Sequence, residues 1–174
     1  MLKAIIFDLN GVLIQSKLLS TRIQEKYRVP EEKFIPVLKK VMVLARKPGH
    51  TDTFSLWEPH LKELGLNTTR EEFFNFWFSG ESVNTPALEF IQELREKGIK
   101  VFILSNNFSE RTTFYRNHFP EIFNSVDNAY FSWETGYVKP DKEAYLSILA
   151  QNQLDPANCL YFDDTEKNLE VAKG

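Results

Sequence analysis

Three short apolar runs, each closed by polar residues, are spread along the chain: Lys3-Ala-Ile-Ile-Phe-Asp8, Ile99-Lys-Val-Phe-Ile-Leu-Ser105 and Cys159-Leu-Tyr-Phe-Asp-Asp164. Each is strand-sized and rich in β-branched or aromatic side chains, the pattern of a strand buried on both faces. Helical patterns lie between them. Thr85-Pro86 reads as an N-cap followed by proline at the first helical position, Leu88, Ile91 and Leu94 recur at helical spacing, and Gly98 closes the segment. Residues 141–151, with Tyr145, Ile148 and Leu149 on one face, form a second candidate. Strands alternating with helices imply right-handed crossovers, so the expected class is α/β, a Rossmann-like parallel sheet flanked by helices.

The interval 16–82 has a different texture, with about four helical patterns and little sign of strand. Pro30-Glu31-Glu32 is a helix start followed by Ile35, Leu38, Val41 and Met42 at helical spacing. Thr69 with Glu72 matches a capping box ahead of the aromatic run at 73–78. Residues 1–15 and 83–174 are therefore expected to make the sheet-bearing core, with 16–82 as an inserted helical subdomain. The 15 phenylalanines predict a bulky interior, to which Phe73, Phe74, Phe76, Trp77 and Phe78 contribute. Lys39-Lys40 and Arg46-Lys47 read as a solvated helix face, and Cys159 as a small buried hydrophobe in mid-strand.

Charge and hydropathy exclude some functions. With 21 basic and 24 acidic side chains the net charge is -3, without the clustered positive charge a nucleic-acid binder needs. No apolar run is longer than residues 41–45, far short of a membrane span, and the first run is cut off at Asp8, too early for a signal-peptide core. One cysteine precludes an internal disulfide. A cytoplasmic location is the expectation, and His50, His60 and His118 show no metal-ligand spacing.

In an open parallel sheet, ligands sit outside the carboxyl ends of the strands. Asp8 and Asn10 follow the first run, Ser105 and Asn106 the second, Asp163 and Asp164 the third, and Lys139 lies in a loop, Gly136-Tyr-Val-Lys-Pro140. Three carboxylates on one rim repel each other unless a cation is shared, and oxygen ligands suit a hard ion such as Mg²⁺. A lysine and a hydroxyl beside that ion suit a phosphate.

These segments carry a resemblance. Phe7-Asp8-Leu9-Asn10-Gly11-Val12-Leu13, Leu104-Ser105-Asn106-Asn107, Lys139-Pro140-Asp141 and Tyr161-Phe162-Asp163-Asp164-Thr165 resemble, in order, the four motifs of the haloacid dehalogenase-like superfamily. The 16–82 insertion is similar to that family's small helical cap, and the motif details resemble small sugar-phosphate phosphatases and the phosphatase domain of epoxide hydrolases. The resemblance implies a Mg²⁺-dependent phosphatase acting on a small phosphorylated metabolite. Asp8 would be the nucleophile that forms an aspartyl-phosphate, and Ser105 and the Asn106 amide would hold phosphoryl oxygens. Lys139 would neutralise phosphate and keep Asp8 ionised, while one Asp8 oxygen, the Asn10 carbonyl and Asp164 would hold the metal, with Asp163 bracing them.

Asn10 departs from the family, which has aspartate there as general acid and base. Loss of such a group costs on the order of 10²–10⁴-fold in rate. The residue fits an engineered trap, a natural member that binds phosphate without turnover, or an active subgroup that departs at this position. Dehalogenase chemistry attacks carbon and has no use for the Asp163-Asp164 pair. Family members continue past the fourth motif with a further strand and helix. Without these after Gly174, one sheet edge is expected to be exposed.

Overall fold

The computed structural model describes residues 1–173. Four parallel strands form its central sheet: β1 (Ala4–Phe7), β4 (Lys100–Ser105), β5 (Asn128–Phe131) and β6 (Cys159–Phe162), ordered β5-β4-β1-β6. Two three-residue strands, β2 (Ile14–Ser16) and β3 (Glu81–Val83), make a separate antiparallel ribbon. The fold is Rossmann-like α/β, as expected.

Side chains alternate across the sheet, and the two faces build two cores. Ile5, Phe7, Val101, Ile103 and Phe131 point towards Ile91 and Leu94 of α5 (Thr85–Glu96) and Tyr115 of α6 (Ser109–His118). Ala4, Ile6, Phe102, Leu104 and Tyr130 point the other way, onto Ala144, Tyr145 and Ile148 of α9 (Lys142–Gln151). Between these helices come α7 (Pro120–Asn124) and α8 (Ser132–Thr135), and α10 (Glu166–Lys173) follows β6.

Between β2 and β3 run α1 (Leu19–Tyr27), α2 (Glu31–Ala45), α3 (Phe54–Glu63) and α4 (Arg70–Phe78). They close on a third core with Trp57 fully enclosed, its ring stacked 5.8 Å from Phe34 and edge-on to Trp77 at 5.6 Å. The box predicted at Thr69 is present: the Glu72 amide donates to Thr69 Oγ1 (3.2 Å), and the Thr69 amide donates to Glu72 Oε2 (2.8 Å). Phe108, just before α6, inserts into this aromatic core, 5.2 Å from Trp77.

Several expectations need correction. β6 is an outer strand among the described residues, and on one of its faces Leu160 and Phe162 stay partly exposed, although the Phe162 ring stacks on Phe7. Cys159 opens β6 and is half-buried, its thiol 3.3 Å from the Asp155 carbonyl. Thr85 is the first helical residue rather than the cap. Asn84 precedes it, and its side chain donates instead to the Val12 carbonyl (2.7 Å), which fastens α5 to the loop after β1. Lys39, Lys40 and Lys47 are solvated, but Arg46 is half-buried. It is the C-cap of α2, follows Leu38 and Met42 at four-residue spacing, and lines a cavity shared with Asp8. Gly174, the last residue, lies outside the described residues.

Candidate active site

Parallel strands in register bring their carboxyl ends to one rim. Phe7 pairs with Ile103 and Phe162, so Asp8, Ser105 and Asp163-Asp164 emerge side by side. The Asp8 amide donates to the Phe162 carbonyl (2.7 Å), carrying the ladder one residue past β1. Oxygens of Asp8, Asp163 and Asp164 all lie within 4.8 Å of one another. Lys139, beside the cis Lys139–Pro140 bond, places Nζ 3.0 Å from Asp8 Oδ1 and 2.7 Å from Asp163 Oδ2. Every site residue expected from the sequence except Asp163 lines one cavity of about 360 Å³, and Asp163 reaches it through Lys139.

The asparagines work as clamps. Asn106 donates to the Lys139 carbonyl and accepts from its amide, both at 2.8 Å, so the loop carrying Lys139 is locked to the end of β4. Asn107 donates to Asn10 Oδ1 (3.0 Å), while Asn10 Nδ2 donates to the Tyr115 hydroxyl (2.6 Å). Ser105 is 1% exposed, and its Oγ is buried without a hydrogen-bond partner among the described residues. Such an orphan costs stability unless a ligand satisfies it.

The three carboxylates sit in unlike environments. Burial pushes Asp8 upward, and the charge of Asp163 adds to this. Lys139 pulls it down, as expected, without offsetting the burial. Burial also acts on Asp163, but hydrogen bonds from Lys139 and Tyr161, the lysine's charge and the Thr165 amide outweigh it and hold this carboxyl below the usual range. Asp163 accepts five hydrogen bonds in all, two of them from Asn168 Nδ2, and so has no lone pair to spare. Asp164 is exposed and, among the described residues, accepts only from the Thr165 hydroxyl, at 3.4 Å. Gly11, at φ +88°, makes room for it: a Cβ there would lie 2.1 Å from Asp164 Oδ2.

Four contributors were not found from the sequence. Tyr161 donates to Asp163, and strand alternation carried that signal, since residues two apart share a face. Asn168 reaches back from α10 by a turn that no spacing rule covers. Arg46 and Arg111 line the cavity from α2 and α6. Arg111 pairs with the buried Glu81 carboxylate and lies 5.5 Å from the Trp77 and Tyr115 ring centres. These two depend on how helices remote in sequence pack together.

The chain is similar to known proteins along most of its length. It is 26% identical over 192 residues to bifunctional epoxide hydrolase 2 of Sus scrofa, covering 99% of this chain and 35% of that protein. The corresponding protein of Mus musculus is 23% identical over 196 residues, so the chain spans about a third of the length of the curated relatives it matches. A HAD family enzyme of Bacteroides thetaiotaomicron superposes with a TM-score of 0.84 at 24% identity, over 99% of this chain and 89% of that one. The wild-type form of that enzyme in complex with magnesium and inorganic phosphate gives 0.83 at 24% identity, over 99% and 90%. A HAD phosphatase of Thermococcus onnurineus gives 0.64 at 15% identity, over 99% and 82%. A family model for haloacid dehalogenase-like hydrolase matches residues 2–174, and the chain belongs to that family.

Proposed function

We propose that the chain is a Mg²⁺-dependent phosphatase of small phosphorylated metabolites, working through an aspartyl-phosphate on Asp8 and slowed by Asn10. The observation that carries this reading is Ser105 Oγ, buried and unpartnered, in the same cavity as Lys139 and the Asp8 and Asp164 carboxylates. An oxyanion satisfies the hydroxyl and the ammonium together. A hard cation relieves the crowding of the carboxylates, and Asp164, with free lone pairs and the space granted by Gly11, is open to it.

Mg²⁺ would be held by Asp8, Asp164 and the Asn10 carbonyl, and when bound it supplies positive charge to the phosphoryl oxygens. Lys139 and Ser105 hold the phosphoryl group in line with an Asp8 oxygen. That oxygen forms a bond to phosphorus as the bond to the leaving alcohol breaks, and water then cleaves the acyl phosphate. Asp163, saturated by hydrogen bonds, keeps Lys139 aimed. The helices of residues 16–82 serve as a cap that excludes water from the cavity.

Asn10 cannot lend a proton to the leaving oxygen, and this favours a second reading, phosphate binding without turnover. Its two contacts would accept an acid equally well. Asn107 Nδ2 donates already, and the Tyr115 hydroxyl need only turn from acceptor to donor. Hydrolysis of an aryl phosphate is therefore expected to be slow but Mg²⁺-dependent in this chain, and about 10²–10⁴-fold faster in Asn10→Asp. Folded protein inactive in both forms would overturn the phosphatase reading, and activity in the unchanged chain would overturn the binding-only reading.

A further inference from the structure

A second cavity, of about 300 Å³, opens beside the first towards the helices of residues 16–82. The two share Asn10, Arg46, Arg111 and Asp164 as lining. The rest of the second is mostly apolar, with Leu19, Leu38, Met42 and Trp77, and has Ser16 and Lys17 at its edge. If the first cavity holds the phosphoryl group, as the phosphatase reading on which this inference rests requires, the second is where the leaving alcohol lies.

Cations around the two cavities are mostly answered. Lys139 is paired with Asp8 and Asp163, and Arg111 with Glu81, while Lys17 and Lys167 are exposed and solvated. Arg46 differs. Its guanidinium has neither an ion pair nor a hydrogen bond among the described residues, and its Nε is buried without an acceptor. A guanidinium whose Nε is shut off from water without an acceptor carries a cost, and a planar anion supplied by a ligand removes it.

We propose that Arg46, backed by Arg111, binds a carboxylate on the leaving group, so that the substrate class is phosphorylated hydroxy acids. One half-buried guanidinium without an ion pair matches a carboxylate monoanion better than a second phosphate dianion. The fork of the guanidinium can meet both carboxylate oxygens. The apolar floor receives the short carbon skeleton between the two anionic ends.

The test compares three esters in saturating Mg²⁺: 3-phosphoglycerate, glycerol 3-phosphate (which has a hydroxymethyl in place of the carboxylate) and glycerol bisphosphate. kcat/KM is expected to favour 3-phosphoglycerate over glycerol 3-phosphate by about tenfold or more. Arg46→Gln should abolish that preference, lowering kcat/KM for 3-phosphoglycerate about tenfold more than for glycerol 3-phosphate, and Arg46→Lys should restore part of it, as a point charge without the fork. Circular dichroism and melting of both variants check the fold. No preference in the unchanged chain, an equal loss on both monoesters, or a preference for the bisphosphate would each overturn the carboxylate site. If no ester is hydrolysed, an aryl phosphate included, the phosphatase reading fails separately. Calorimetry then decides the site: tighter binding of 3-phosphoglycerate than of glycerol 3-phosphate, lost in Arg46→Gln, upholds it, and equal binding overturns it.

Discussion

Gly11 shows how much one hydrogen can matter. Its backbone sits at φ +88°, where a side chain is strained, and Asp164 occupies the place a methyl group would take. Gly11→Ala is expected to leave a folded protein whose Mg²⁺ affinity, measured by calorimetry, drops about tenfold or more, because Asp164 is pushed off its position. Unchanged affinity would show that Asp164 is not a ligand. Lys139 is the corresponding case for charge. It is bonded to both Asp8 and Asp163, and their side chains are almost closed to solvent. Lys139→Met should lower stability by about 3 kcal/mol in denaturant titrations, since two buried carboxylates would lose their counter-charge. The acidic, hydroxyl and ammonium groups of this site were legible because each follows an apolar run or sits in a short motif. Arg46 was not, because it was grouped with the exposed Lys39, Lys40 and Lys47, although it continues the row of Leu38 and Met42 at helical spacing and lines one cavity with them.

At the scale of elements, the legible parts were those with a strong local pattern. β1 and β4 are nearly continuous apolar runs because both their faces are covered. β5, Asn128-Ala-Tyr-Phe, has too short a run to announce itself, and β2 and β3 are three residues each, held by pairing that no periodicity displays. β6 reads like a doubly buried strand, yet its outer position leaves Leu160 49% exposed. The N-terminus of α4 was readable in full, because a capping box is written in four consecutive residues. It also gives a pH prediction. Hydrogen bonds from the Thr69 amide and hydroxyl hold Glu72 below the ordinary glutamate range. A carboxyl depressed by folding adds stability that is full above its unfolded pKa and is lost as pH falls through its folded value. An NMR titration should find Glu72 among the most acidic glutamates, and Thr69→Ala should return it towards the ordinary value. A Glu72 that titrates normally in the unchanged chain would remove the box as its cause.

For the whole molecule, the four helices of residues 16–82 close on a core of their own and meet the sheet-bearing part through Phe108, Phe114 and Glu110, among others. Phe108, 1% exposed, belongs to the chain segment after β4 but packs among Phe74, Trp77 and Phe78. Phe108→Ala is expected to cost about 3 kcal/mol by denaturant unfolding, and a loss under about 1 kcal/mol would show that the two units do not depend on this contact. No described helix is long and apolar enough to cross a membrane. The α/β class and the site at the carboxyl rim followed from alternation alone, whereas the route of the four helices over that rim depends on packing among aromatic side chains that a linear pattern does not encode. The proposed site gathers distant segments of the chain around a single cation and a phosphoryl group. A crystal structure with Mn²⁺ and inorganic phosphate, the metal located by its anomalous signal, tests this most directly. The ion should touch Asp8, Asp164 and the Asn10 carbonyl, with phosphate on Ser105 Oγ and Lys139 Nζ; metal bound elsewhere, or phosphate that leaves Ser105 unpartnered, would contradict the account.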